Sequence, residues 1–499
     1  MNAPSDKLPS RPAWFEREGL ALLTDMYELT MMAGYLREGR ADNRVCFEYF
    51  FRSMPLDAGF AIAAGLDPFL QYLSALRFHD DDLAYLRSLE LFDEAFLEAL
   101  ADFRPNCTVR AVPEGTLVFP NEPIMQIEGR IFEAQLLETA LLNLLNHQTL
   151  IASKAARIHL AAKGEPVMEF GLRRAHGPDG GISGARAAYI GGCASTSNVL
   201  AGKIYGIPVS GTHAHSWVMS FPSELESFRA FVRHYPKEPI LLVDTYDTLG
   251  SGVPNAITVF KEMHAAGNKV RPAIRLDSGD LAKLSKGAFD LIVEAGLEDP
   301  LIVASNDLEE DLIADIRNQG ARINAWGVGT HLITARNNPS LNGVYKLVAI
   351  HDGDQWTPRI KLSQNIEKAT VPGRKRLVRY SDASAHPIGD VLYDAEETWP
   401  ESGAIPCRRR LLPHREERIN GAVASEDMLQ VVFDQGGRTN QAPPIEAIRN
   451  RTLSQLDSLA DEYKRLRNPE RYHVHLSPAI GQLTESLIAD PTSTNVGQP

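Results

Sequence analysis

Two imidazoles, His213 and His215, stand two residues apart in the stretch Tyr205 to Trp217, YGIPVSGTHAHSW. Ile207-Pro208-Val209 reads as a short buried strand, and Ser210-Gly211-Thr212 as the turn of small residues that ends it. Small residues let a ligand approach the backbone, while an imidazole titrates near neutral pH and its nitrogen can accept a transferred group. A lone histidine near a strand end is more often packing. Two of them beside a hydroxyl and a glycine, at a strand end, point to a site.

Similar chemistry follows five other apolar runs. After the first comes Glu169-Phe170-Gly171-Leu172-Arg173-Arg174 and then the glycine-rich His176 to Gly181. Later runs end in Asp244-Thr245-Tyr246-Asp247, Arg275-Leu276-Asp277-Ser278-Gly279-Asp280, Ser305-Asn306-Asp307 and Gly327-Val328-Gly329-Thr330-His331. Arginine forks suit phosphates or a carboxylate. Gly327-Val328-Gly329-Thr330 offers backbone N–H groups and a hydroxyl to a phosphate, and the acidic residues suit ribose hydroxyls or Mg²⁺. Together these groups describe a phosphosugar site. Singly they have plainer readings: a tight turn at GVGT, a helix cap at Asp277 or Ser278, cap and turn residues at Asp244 and Asp247, and a solvated face at GRKR, 373–376.

The elements that must position these residues show a rhythm. Apolar runs recur at PVMEF (166–170), IPVS (207–210), PILLVD (239–244), RPAIRLD (271–277), LIVAS (301–305), INAWGVG (323–329) and VYKLVAI (344–350), with helical patterns between most of them. Alternation at about 30 residues implies βα units and a parallel sheet, whose strands carry chemistry at their C-terminal ends. About seven units suggest a closed or nearly closed barrel; an open doubly wound sheet also satisfies the period.

This barrel is expected over 161–355. Residues 14–160 read as a separate α/β domain: an amphipathic helix with Thr24 as its cap and Tyr27 in its first turn, a strand over 44–51, helices over 65–103, short strands over 108–126 and a long helix over 132–163. Residues 356–440 are expected to return to the N-terminal sheet, and 441–490 to be helical.

The chain has 499 residues and a formal charge of -13, which argues against a nucleic-acid or anionic-membrane surface. Its four cysteines, Cys46, Cys107, Cys193 and Cys407, form no CxxC pair. Residues 1–13 lack an apolar signal core and no run of about 18 apolar residues occurs, so a soluble cytoplasmic protein is expected.

TDMYELTM, MEFGLRRAHGPDGG, YIGGCASTSN, SGTHAHSW, VDTYDTLGSG, IRLDSGDL, ASNDLEE, GVGT and GVYKLV occur in that order. With them the chain resembles the nicotinate phosphoribosyltransferases. The resemblance implies a type II phosphoribosyltransferase-like irregular βα barrel with a smaller α/β domain built from the N-terminal region and a later segment. It implies transfer of phosphoribosyl from PRPP to nicotinate, giving nicotinate mononucleotide and pyrophosphate. ATP, with Mg²⁺, would drive the reaction through a phosphohistidine, leaving ADP and phosphate. A homodimer with shared active sites is implied as well.

By motif, the phosphorylated residue would be His215, with His213 a bystander. Tyr27, from the partner subunit, and Phe170 would sandwich the pyridine ring, and Thr212 and Arg275 would contact nicotinate. Arg173, Gly327, Gly329 and Thr330 would hold phosphate, and Asp277 the ribose or Mg²⁺. The alternatives are nicotinamide phosphoribosyltransferase, quinolinate phosphoribosyltransferase and a non-catalytic phosphosugar-binding barrel. The nicotinamide family places an Asp in the helix before the histidine segment. Ile190 to Gly206 contains no carboxylate here, and an acid there would repel nicotinate's own carboxylate.

Overall fold

The computed structural model describes residues 20–362 and 369–490. Its centre is a six-stranded parallel sheet in the order Ser195–Thr196, Val167–Glu169, Ala325–Val328, Leu301–Ala304, Ala273–Leu276 and Ile240–Leu242. The apolar runs form these strands because helices such as Gly177–Ile190, Val253–Ala265, Leu281–Glu294 and Glu310–Asn318 cover them, and a strand buried on both faces reads as continuous rather than alternating. The fold class is α/β, as expected.

Two of the anticipated barrel strands are not there. Ile207 to Ser210 makes only an isolated parallel bridge, Val209 to Thr196, because Pro208 has no N–H to donate to a ladder. The edge strand at that position is Ser195–Thr196, two polar residues with no apolar signal of their own. The VYKLVAI run belongs to another sheet. As part of Gly343–Asp352 it pairs antiparallel with Arg44–Phe51, from Val45 opposite Ile350 to Phe51 opposite Gly343. Lys346 breaks the continuous apolar pattern that a doubly covered parallel strand needs.

That second sheet is antiparallel, in the order Gln355–Pro358, Gly343–Asp352, Arg44–Phe51, Met125–Arg130, Thr108–Ala111, Gln430–Asp434, Gly437–Arg438. The 32-residue helix Ile131–Ala162 packs against both this sheet and the helices of the parallel one. Alanines at 152, 155, 156, 161 and 162 are buried along it, and their small side chains let neighbouring elements approach closely. The helix Met26–Arg37 also packs on it; its N-cap is Asp25, not Thr24.

Among the described residues from 355 onward, Gln355–Pro358, Gln430–Asp434 and Gly437–Arg438 join the N-terminal sheet. Between them a third sheet forms, in the order Leu412–Ala422, Gly403–Arg409, Val474–Leu476, Pro387–Asp394, Lys375–Ser381, Ala424–Asp427. It has its own apolar centre in Val378, Tyr380, Val391, Tyr393, Ile405, Cys407 and Ile419. The GRKR run is not a solvated face. Lys375 is 1% exposed, its Nζ 2.9 Å from Glu48 and donating to the carbonyls of Val371 and Gly373. Among the described residues no helix is long and apolar enough to cross a membrane.

A buried polar network ties the third sheet to the N-terminal body. Arg379 donates to Asp390 at 2.7 Å, Tyr472 donates to the same carboxylate at 2.7 Å, and Phe119 stacks on Tyr472 at 3.7 Å between centroids. Burial opposes charge on Asp390, but Arg379 and the hydrogen bonds hold its pKa below the ordinary value. Burial and neighbouring Asp390 push Glu122 well above the ordinary range. Arg379→Met would leave the Asp390 charge buried without its partner, so it should lower the unfolding free energy by about 3–5 kcal/mol in urea titration. A change below about 1 kcal/mol would show that the network carries little of the docking.

Candidate functional site at the mouth of the parallel sheet

Residues 208–213 run across the gap between the two edges of the parallel sheet. At one edge Thr196 N–H donates to Pro208 O at 3.0 Å, and Ser210 N–H donates to Thr196 O at 3.0 Å. At the other edge Leu242 N–H donates to His213 Nε2 at 3.2 Å. Only 8% exposed, His213 packs its ring 4.6 Å from that of Phe231. Burial, with smaller repulsion from Arg275 and His215, lowers its pKa to about 4. It is therefore neutral at physiological pH, with Nε2 as acceptor and the Nδ1 proton turned toward Ala214 O at 3.5 Å.

The residues on either side of His213 face the mouth. Thr212 Oγ1 accepts from Arg275 Nη1 at 2.6 Å and donates to His213 O at 3.2 Å. Arg275 Nε is buried and has no hydrogen-bond partner. Burial lowers the pKa of its guanidinium, Asp277 and Asp244 oppose the shift, and Arg173 adds to it. A partly buried cation with an unused donor suits an anionic ligand. His215 opens the short helix His215–Met219, its Nδ1 3.1 Å from Thr245 Oγ1 and its Nε2 3.9 Å from Asp277 Oδ2.

Carboxylates form the next layer. Ser305 Oγ donates a short hydrogen bond to Asp277 Oδ1. Asp244 Oδ2 accepts from Asp277 N and from Ser278 Oγ, both at 2.7 Å, while Asp244 Oδ1 is buried and unpartnered. Neither Asp277 nor Ser278 caps the following helix. That role belongs to Asp280, whose Oδ1 accepts from Lys283 N at 2.9 Å, so the carboxylate of Asp277 is left facing the site. Among the described residues no group of three or more His, Cys, Asp or Glu is arranged to hold a metal by itself. Mg²⁺ held mainly by substrate phosphates needs only one or two carboxylates, which Asp277 and the unpartnered oxygen of Asp244 can supply.

The opposite wall begins at Glu169. Its carboxylate accepts from Thr196 Oγ1 at 2.6 Å and, through a short bond, from Gly171 N, which fixes the turn carrying Phe170 and exposed Arg173. Burial raises the pKa of Glu169 and those two donors moderate it. Phe170 lies flush against the neighbouring strand because position 327 is glycine: a Cβ there would come within 2.7 Å of the ring. Gly329 passes close to Phe170 O in the same way, and Thr330 starts a four-residue helix at this rim.

His215, Thr212, Arg275 and Asp277 are thus brought together, with Phe170, Arg173, Gly327, Gly329 and Thr330 on neighbouring strand ends. Tyr27 is not among them. It is 46% exposed at the start of its helix, with Glu138 and Glu28 as charged neighbours. Thr245 and Ser305, which touch His215 and Asp277, were assigned no role by sequence; a hydroxyl directly after a buried strand is the signal that could have found them.

The sequence matches the family profile described as nicotinate phosphoribosyltransferase (NAPRTase) N-terminal domain over residues 22–146, and that of the C-terminal domain over 374–484. It is 44% identical over 469 residues to a nicotinate phosphoribosyltransferase of Bacillus subtilis (strain 168), covering 93% of this chain and 94% of that one. It is 37% identical to the Homo sapiens protein of that name, covering 94% and 96%. The crystal structure of human nicotinic acid phosphoribosyltransferase superposes with a TM-score of 0.83 at 34% identity, covering 93% of this chain and 99% of that one. A nicotinate-nucleotide pyrophosphorylase from Pyrococcus furiosus, at 23% identity and TM-score 0.66 over 88% of this chain and 95% of that one, shares the fold.

The neutral state of His213 has a measurable consequence. An unfolded chain protonates this residue near pH 6.5, the folded one only near 4, so its contribution to stability is complete above pH 6.5 and is lost as pH falls toward 4. Between pH 7.5 and 4.5 the wild-type chain should lose about 2–3 kcal/mol more unfolding free energy than His213→Gln in urea titrations. Equal losses would mean that His213 is not held neutral.

Proposed function

The chain belongs to the nicotinate phosphoribosyltransferase family, and from that premise we propose that it transfers phosphoribosyl from PRPP to nicotinate, giving nicotinate mononucleotide and pyrophosphate for NAD biosynthesis. The observation that carries this reading is Arg275, a partly buried guanidinium held by Thr212 whose Nε has no partner. Nicotinate's carboxylate matches that fork, whereas an uncharged amide would leave the cation unneutralised. The absence of any acidic side chain from Ile190 to Gly206 supports the same choice.

Phe170 supplies one face of the ring site. The other is Tyr27 of a second copy of the chain, because Tyr27 is exposed and its charged neighbours are Glu138 and Glu28 rather than residues of the rim. Val199, Leu200, Ile204 and Val209, exposed apolar residues beside the histidine segment, support a homodimer that covers this rim. As pyrophosphate leaves C1 of the ribose, positive charge grows on the sugar and negative charge on the leaving group. Asp277 and Asp244 stabilise the first; Arg173, the backbone of Gly327 to Gly329 and Thr330 stabilise the second. Mg²⁺, when bound, neutralises part of the pyrophosphate charge. The ring nitrogen of nicotinate is already nucleophilic, so no general base is required.

We further propose that ATP hydrolysis is coupled through His215. If its Nδ1–H donates to Thr245, the Nε2 lone pair is free. A bond then forms from Nε2 to the γ-phosphorus as the bond to the bridging oxygen breaks and ADP departs; water later releases phosphate. The phosphohistidine adds about two negative charges beside Arg275 and the carboxylates, and its removal loosens product.

Arg275→Ala should reduce kcat/KM for nicotinate by about 10- to 150-fold, the equivalent of about 1.5–3 kcal/mol, in an assay of labelled nicotinate with PRPP. An unchanged value would remove Arg275 from the substrate site. His215→Ala should abolish acid-labile label from γ-³²P-ATP and ATP hydrolysis, yet keep slow nucleotide formation without ATP. Label surviving in that variant would place the phosphorylated residue elsewhere. Labelled nicotinamide run beside nicotinate, with and without ATP, tests the substrate choice directly.

A further inference from the structure

We propose that His213 is a positioning residue for the transfer reaction: its imidazole closes the seam of the parallel sheet and so holds Thr212, Arg275 and His215 in their working arrangement. The sheet has two edge strands, Ser195–Thr196 and Ile240–Leu242. Successive N–H groups along a strand point to opposite sides. Val243 N–H turns inward and donates to Arg275 O at 3.2 Å, while Leu242 N–H turns outward to the seam, where the described residues place no strand to receive it. His213 Nε2 receives it instead, at 3.2 Å. The same segment is joined by main-chain hydrogen bonds to the other edge at Pro208 and Ser210. A side chain therefore takes the place of a missing strand's carbonyl.

The consequences pass through one residue on each side. Thr212, which receives Arg275 Nη1 at 2.6 Å, is anchored again by donating to His213 O at 3.2 Å. His215, two residues on, begins the helix whose Trp217 Nε1 donates to Ser227 O at 3.1 Å. Phe228 and Phe231, from Glu224–His234, hold the His213 ring from behind, at 6.2 and 4.6 Å between centroids. Arg275 and His215, the titratable groups that face it, lie on the site side, and the Arg275 cation favours a neutral ring. Losing the acceptor would free Leu242 N–H and release the segment between its two anchors.

The kinetic part of this inference rests on the transfer reading above; the seam itself does not. The test compares full-length wild type, His213→Gln and His213→Leu. Glutamine can extend a carbonyl to the place of Nε2, and leucine keeps the bulk without an acceptor. Hydrogen exchange at Leu242 should stay slow in wild type and His213→Gln and accelerate at least tenfold in His213→Leu. The KM for nicotinate should stay within about threefold of wild type in the glutamine variant. In the leucine variant it should rise at least tenfold, with a smaller change in kcat. If His213→Leu does not fold, His213→Asn, whose amide is too short to reach Leu242, takes its place with the same expectation. Unchanged exchange and KM in the acceptor-free variant, or glutamine failing as badly as leucine, would overturn the proposal. Wild-type protein without nicotinate turnover would instead count against the transfer reading and leave the exchange comparison standing.

Discussion

A parallel sheet brings every strand's C-terminal end to one rim, because each helical crossover returns the chain to the same side before the next strand begins. The candidate site depends on that constraint. Phe170, Thr245, Asp277, Ser305 and Gly329 are far apart in sequence and lie at or just beyond strand ends of a single sheet. The apolar strands contribute burial and rigidity, and the polar residues just past them line the candidate site. Phe170 shows how tightly the two are linked, since its ring position requires the missing side chain of Gly327 one strand away.

Charge is the second constraint. The rim holds Arg275 and Arg173 beside Asp244 and Asp277, and two atoms of that group, Arg275 Nε and Asp244 Oδ1, are buried without partners. Leaving buried polar atoms unpaired costs about 1–3 kcal/mol each, more where the group is charged. Under the proposed function, a ligand would offer an anion to one and a cation or a hydroxyl to the other. Two buried cations elsewhere are met within the chain: Lys375 has three oxygen partners and Arg379 lies between Asp390 and Glu122, so those groups hold sheets together.

Much of this was legible in the sequence, for identifiable reasons. Covered parallel strands are continuous apolar runs, so five of the six stood out, and most of the candidate site residues follow them directly. What stayed hidden depended on partners distant in sequence. Ser195–Thr196 is a strand because neighbours supply its ladder, not because its side chains prefer one. Lys375 looked like part of a basic surface because Glu48, over 300 residues earlier, is visible only in the fold. VYKLVAI reads as one more barrel strand, yet Lys346 interrupts its apolar run and its antiparallel partner Arg44–Phe51 lies about 300 residues earlier. By motif His213 is a bystander to the chemistry, and spacing alone does not reveal its contact with Leu242.

In the proposed function this rim binds nicotinate through its carboxylate at Arg275. The measurement that tests it most directly is a crystal structure of the protein with nicotinate bound. A carboxylate oxygen is expected about 2.7–2.9 Å from Arg275 Nε, with the pyridine ring lying on Phe170. A carboxylate bound elsewhere, with Arg275 Nε still unpartnered, would contradict it.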